Sequence, residues 1–326
     1  MKMKKKIIVG LVIIIVIVLS IVIFTNLKKD NNVTKIGIIQ FAKHSSLDDC
    51  YKGIIDGLTE GGYINGKNVE IDYKNAFGEQ QNSDLIAQNM VQKKYDIIFT
   101  IATPAAMSAY SAAKETDVPV VFTAVTDPVS AGIAESIEQP GLGVTGTSDV
   151  IDYNQQLQMI RDFMPNTKKI GILYTISEPN AVSNLDTITR ISDKYNFEII
   201  SLGITNASEI SNGAQTLIGK GAECFCLLTD NNMADNLSTL LHITDSKKIP
   251  VFARDNTQVD EGCIATLAIN YYELGKDTAN MGVKILTRES KVNDLPIEII
   301  DEYDVIYNEE KCLDFNIKIP EKYKNK

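Results

Sequence analysis

From Thr34 onward the chain alternates short apolar runs with longer stretches whose apolar positions recur every three or four residues. TKIGIIQF (34–41) reads as a strand, and Leu47, Tyr51, Ile54, Ile55 and Leu58 then fall on one helix face. VEIDY, YDIIFTIA and PVVFTAV read as further strands, with the helical stretches SDLIAQNMVQKK and AAMSAYSAAKE between them. VSAGIAESIE (129–138) reads as another helix. Strands alternating with helices of about 10–15 residues predict an α/β protein with parallel sheets covered on both faces.

The pattern then repeats. KKIGILYT (168–175) echoes TKIGIIQF, AECFCLLTDNNM (222–233) echoes YDIIFTIATPAAM (95–107), and KIPVFARD (248–255) echoes DVPVVFTA (117–124). One unit used twice predicts two similar lobes facing each other. Open α/β sheets bind ligands beyond the carboxyl ends of their strands, so one crevice can be lined from both lobes.

The amino-terminal segment 1–30 stands outside this grammar. MKMKKK precedes 18 uncharged residues, Ile7 to Phe24, which as a helix would be about 27 Å long, close to the hydrocarbon core of a bilayer. Four lysines come before the run and only Lys28 and Lys29 directly after it. The amino end is therefore expected inside and the body outside. The run is long for a signal peptide and lacks an A-x-A cleavage site; a single-pass transmembrane anchor is expected, with a cleaved signal as the alternative. Either way the body is exported.

Charge excludes one class of partner. The net charge is −10, but the first 30 residues carry six Lys against one Asp, leaving 26 basic against 41 acidic residues in the body. Such a body repels phosphate backbones, so no nucleic-acid partner is expected. Cys50, Cys224, Cys226, Cys263 and Cys312 are an odd set, best read as buried apolar thiols. With only His44 and His242 to join them, no metal is expected. No G-x-S-x-G, H-E-x-x-H or P-loop is present, and the chain does not read as an enzyme. The acidic pair Asp48–Asp49 falls on the first helix as a solvated face.

PGLGVTGTSD (140–149) spells G-x-G-x-x-G, the dinucleotide fingerprint, but it follows a predicted helix and a Pro instead of a strand. No dinucleotide or other cofactor is expected. Gly143, Gly146 and Ser148 are read as a hinge on a crossover between the lobes, where backbone freedom or close approach is needed.

GIIQF, LDDCYKGIIDGL, GYINGKNVEIDY, IATPAA, VFTAVTDPVSAG, PGLGVTGTSD, KKIGILY, TDN and INYYELGK together resemble ABC-transporter substrate-binding proteins of the tryptophan/tyrosine-binding type, from about Thr34 to Ile319. The resemblance implies a type I periplasmic-binding-protein fold: two Rossmann-like lobes joined by three crossovers, with an aromatic amino acid held between them. On this sequence the lobes would be 34–147 plus 271–297 and 148–270 plus 298–326. It also implies docking to a membrane permease with its cytoplasmic ATPase; the body itself is expected to be a monomer. A tethered sensor with the same fold and no transport role is the alternative. The chain departs from the family pattern at QFAKHSSLDD, where an acidic residue and a Pro commonly flank the His, and at Arg254, where a small residue is usual.

The residue chemistry suits a small zwitterion. In IATPAAM, Thr103 reads as an N-cap and Pro104 as the first helical residue, which turns the amides of Ala105 and Ala106 toward a carboxylate. The alternative is that Thr103 only caps its helix. Thr123 and Thr126 offer hydroxyls to either end of the ligand, while Asp127 either meets it or turns the chain with Pro128. Asp230 and Asp255 end matched strands of the second lobe and can pair with an ammonium. Asp255 is preferred because Arg254, one residue earlier, alternates away; Asp230 could instead cap its helix. Phe41, Phe122, Tyr174 and Tyr271 are candidates for ring contacts, with Phe122 the most core-like. Asn270 and Ser148–Asp149 lie beside crossovers, to touch the ligand or to hold the closed state.

Overall fold

β1 (Thr34–Gln40) buries every residue from Ile36 to Gln40, as a parallel strand covered on both faces must. The computed structural model describes residues 33–300 and 303–324, and Lys35–Lys326 form one unit. The expected anchor lies outside the described residues. Among those that are described, no helix is long and apolar enough to cross a membrane.

After β1 come α1 (Ser45–Glu60), β2 (Val69–Asn75), α2 (Gln80–Gln92), β3 (Ile97–Ile101), α3 (Thr103–Ala113), β4 (Val120–Thr123) and β5 (Val144–Ser148). The second lobe follows with α4 (Tyr153–Phe163), β6 (Lys169–Thr175), α5 (Pro179–Ser192), β7 (Glu198–Ile204), α6 (Ile210–Gly219) and β8 (Cys224–Cys226). It continues through α7 (Asn231–Asp235), α8 (Leu237–Ser246), β9 (Val251–Phe252), α9 (Asn256–Asp260) and β10 (Ala265–Leu267). The chain ends with α10 (Tyr271–Leu286), β11 (Glu298–Ile299), β12 (Val305–Tyr307) and α11 (Glu309–Asp314).

The first sheet has the order β11-β5-β4-β3-β1-β2 and the second β7-β6-β8-β9, with β10 and β12 as a separate antiparallel pair. The shared portions, β2-β1-β3-β4 and β7-β6-β8-β9, match the repeat seen in the sequence: β6 stands where β1 stands, β8 where β3 does, β9 where β4 does. This is the two-lobed α/β periplasmic-binding-protein architecture. The chain passes to the second lobe after Ser148 and back before Tyr271. β11 pairs in the first sheet and β12 with β10, so the chain crosses once more between them. β11 pairs with β5 in the first sheet, so that sheet reaches two residues past the expected boundary at 297.

Two expectations change. VSAGIAESIE forms turns and no helix: Gly132 takes φ +71° and Pro128 O accepts from both Ile133 N and Ala134 N, closing the chain on itself. The glycines of PGLGVTGTSD are not a crossover either. Gly143 (φ +75°) ends the turn into β5, and Gly146 lies within β5, paired to β4 opposite Phe122. A Cβ at Gly146 would sit 2.0 Å from the Phe122 carbonyl oxygen, and φ is +154°; close strand packing and the backbone conformation both require glycine there. The crossing begins only after Ser148, whose hydroxyl donates to Thr126 O and accepts from Val150 N.

All five cysteines are buried free thiols. α10 returns to lie on α1 in the first lobe, where Gly53 and Gly275 let the two backbones touch.

Candidate functional site

The strand ends β3, β4, β8 and β9 converge on a crevice between the lobes. The first lobe contributes His44, Leu47, Ala102, Thr103 and Ala124; the second contributes Thr229, Asp230, Asn231, Arg254, Asp255 and Gln258; Asp149 and Tyr271 stand at the crossings. About 20 Å³ is left between the walls, room for about one water, so a ligand the size of an amino acid enters only if the walls part.

On the first lobe, α3 starts one residue earlier than read. Ala102 is the N-cap, at φ +83° and ψ 153°, and Thr103 is already helical with no capping bond. That backbone region is close to glycine-only and costs of order 1–3 kcal/mol; Ala124, at the end of β4, is also left-handed at φ +54°. The Ala106 amide is not free, since it donates to Ala102 O at 3.1 Å. The amides of Thr103 and Ala105 have no acceptor among the described residues. Thr103 faces the crevice, while Ala105 and Ala106 are buried behind it.

On the second lobe both expected aspartates line the crevice, and both are helix caps. Asp230 caps α7 through Met233 N (3.0 Å) and also accepts from Thr175 N (2.6 Å) and Thr175 Oγ1 (2.9 Å). Burial raises its pKa. Beside it Glu178 accepts from Asn231 N, Asn231 Nδ2 and Asn232 N; burial first, then the charge of Asp230, pushes its pKa up to about 7. Asp255 caps α9 through Gln258 N (3.1 Å), accepts from Thr257 Oγ1 (2.6 Å), and reaches the first lobe by accepting from Ser46 Oγ at 2.8 Å. His44 meets Asn231 across the same gap at 3.4 Å. Its pKa is lowered, burial outweighing the Asp255 charge.

Arg254 overturns the alternation argument. β9 ends at Phe252, so Ala253, Arg254 and Asp255 are irregular, and both Arg254 and Asp255 face the crevice. The guanidinium, 2% exposed, donates from Nε to Thr229 Oγ1 at 2.7 Å and from Nη2 to the Asp149 carbonyl. The Asp149 carboxylate lies 3.6 Å from Nη2 and is held by Thr126 Oγ1 and Tyr271 OH, both at 2.9 Å.

The remaining expected residues are elsewhere. Phe41 and Phe122 belong to a buried core cluster that draws on both lobes, and the half-buried Tyr174 of β6 packs against it. Thr123 is buried between Cys50 and Thr147, and Thr126 serves Asp149. Asp127 caps its turn through Ser130 N (2.9 Å) and meets Ser183 of the other lobe at 3.3 Å, outside the crevice. Asn270 caps α10 through Glu273 N. His44 and Gln258 were not singled out. Only the odd sequence around His44 hinted at its place.

A crevice of mixed charge between two such lobes defines a ligand-binding protein, and the sequence comparisons agree. The family profile of the ABC transporter substrate binding protein matches residues 35–325; the chain belongs to that family, which is one of binding proteins and not of enzymes. It is 36% identical over 292 residues to a tyrosine-binding protein of Clostridioides difficile strain R20291, covering 89% of this chain and 83% of that one. Among solved structures it is similar to an ABC domain from Streptococcus pneumonia in complex with L-Trp: 32% identity, 89% and 97% coverage, TM-score 0.84. A ligand-free, open substrate-binding protein with adhesive properties from Clostridium difficile is 36% identical, with 89% and 97% coverage, but has a TM-score of 0.67. The higher identity with the lower TM-score, together with the bonds across the crevice, places this structure on the closed side.

Proposed function

We propose that this chain is the extracellular binding component of an ABC importer, held to the membrane by the apolar run at 7–24, that captures an aromatic amino acid between its lobes and delivers it to a permease with its ATPase. The observation that carries the reading is a crevice that holds one buried cation, Arg254, together with carboxylates at Asp149, Asp230 and Asp255. That pattern suits a zwitterion, and the tyrosine- and tryptophan-binding relatives support an aromatic one. The ammonium is directed to Asp255. The carboxylate lies toward the amino end of α3, where the amides of Thr103 and Ala105 have no acceptor among the described residues.

Calorimetric titration of the full-length protein with tyrosine, tryptophan and phenylalanine tests this. Asp255→Asn keeps an acceptor for the α9 cap while removing the charge, and should lower affinity about 30-fold or more. Amino-acetylated ligand should lose a similar factor on the wild type. Wild-type affinity in Asp255→Asn would remove the ammonium assignment; no binding of any aromatic amino acid would remove the ligand class. Loss of the protein from the membrane fraction, with an amino terminus near residue 30, would show cleavage in place of anchoring.

A further inference from the structure

The donors and acceptors around the crevice do not balance, and the imbalance sits on Arg254. Asp149 accepts from Thr126 and Tyr271, Asp255 from Ser46, Thr257 and Gln258 N, and Asp230 from Thr175 and Met233 N. Each carboxylate therefore already has fixed donors. On the guanidinium, Nε and Nη2 are used, but Nη1 is buried with no acceptor among the described residues. The Tyr153 hydroxyl, also buried with no other partner among the described residues, is a neutral oxygen beside the same guanidinium. What Nη1 lacks among the described residues is an anionic acceptor. A buried charged donor left unpaired is costly, and a carboxylate meeting a guanidinium forms one of the stronger hydrogen bonds available.

We infer that Arg254 is the specificity-determining residue of the crevice: it supplies the positive charge by which the ligand is selected through its carboxylate. The inference rests on the zwitterion reading above and refines it. Without Arg254 the crevice would hold three carboxylates and no fixed cation, a site favouring simple amines. With it, one carboxylate is neutralised and an amine lacking a carboxylate leaves the guanidinium unsatisfied. Arg254 comes from the second lobe and the Thr103 amide from the first, so a carboxylate reaching both would also draw the lobes together.

Tyrosine, tyramine and N-acetyltyrosine separate the two ends of the ligand. Titrated into the full-length wild type, tyrosine should bind at least about 30-fold more tightly than tyramine, which keeps the ring and ammonium but lacks the carboxylate. In Arg254→Gln that ratio should fall below about threefold, while the penalty for acetylating the amine stays as in wild type. Arg254→Lys keeps the charge but not the planar fork and should give an intermediate ratio. Circular dichroism establishes that each variant is folded, and should Arg254→Gln fail, Arg254→Lys carries the comparison. An unchanged tyrosine-to-tyramine ratio in the folded variant overturns the inference while leaving the aromatic reading intact. If the wild type binds no aromatic amino acid, that reading falls by itself, and the same ratio taken with the other amino acids and their decarboxylated amines decides the inference. Binding of no amino acid at all overturns both.

Discussion

Side chains in this crevice do two jobs at once. Asp230 and Asp255 cap short helices with the same carboxylates that give the crevice its charge, so the cap and the binding alternatives weighed from the sequence are not exclusive. Glu178 shows what crowding such groups costs. In the folded protein it keeps its proton up to about pH 7 because burial and the neighbouring Asp230 both disfavour its charge, whereas an exposed glutamate releases it near ~4.3. Between those values the folded state binds the extra proton, so this group's contribution to stability is present at low pH and lost as pH rises toward 7. Melting temperature should therefore decline from pH 5 to pH 8, and Glu178→Gln, which cannot titrate, should flatten the decline. Equal slopes in the two proteins would show that the pair does not titrate in this range.

At the scale of elements, the apolar periodicity was sufficient for α1 and for the strands buried on both faces, such as β1, β3 and β4, which are apolar at nearly every position; the half-exposed β7 carries no such run. Periodicity was insufficient wherever a boundary mattered. β9 stops at Phe252, which cancels the alternation that would have pointed Arg254 outward, and α3 begins after a strained Ala102 that local preference alone disfavours. The contact of α1 with α10 was likewise invisible, because its partners are more than 200 residues apart. A Cβ at Gly275 would lie 2.1 Å from the Cys50 carbonyl oxygen, and one at Gly53 2.0 Å from that of Tyr272. Gly275→Ala should destabilise the protein by about 1–3 kcal/mol through overpacking, despite the ~1 kcal/mol that alanine contributes to helix propensity. Urea denaturation reads the difference; a neutral or stabilising result would mean that the helices can separate without loss.

For the whole molecule, function depends on how the lobes meet. Ser46 Oγ to Asp255 and His44 to Asn231 join them across the crevice, and bonds of this length require the two walls to be together. Ser46→Ala should therefore lower ligand affinity about fivefold, the worth of roughly one hydrogen bond of ~1 kcal/mol, by weakening closure and not ligand contact. Solution scattering should show a smaller radius of gyration with saturating amino acid than without; no compaction would rule out closure as the response to ligand. The duplication, the α/β class and the family all follow from local pattern and motif, because periodicity and repeated strand ends are properties of neighbouring residues. The crevice is different. Which strand-end side chains turn inward, that Gly146 is packed against Phe122, and that Arg254 is locked to Asp149 depend on contacts between segments tens to about a hundred residues apart or on where a strand happens to stop. Those are settled only when both lobes are folded and pressed together, since burial then decides which charges must find partners.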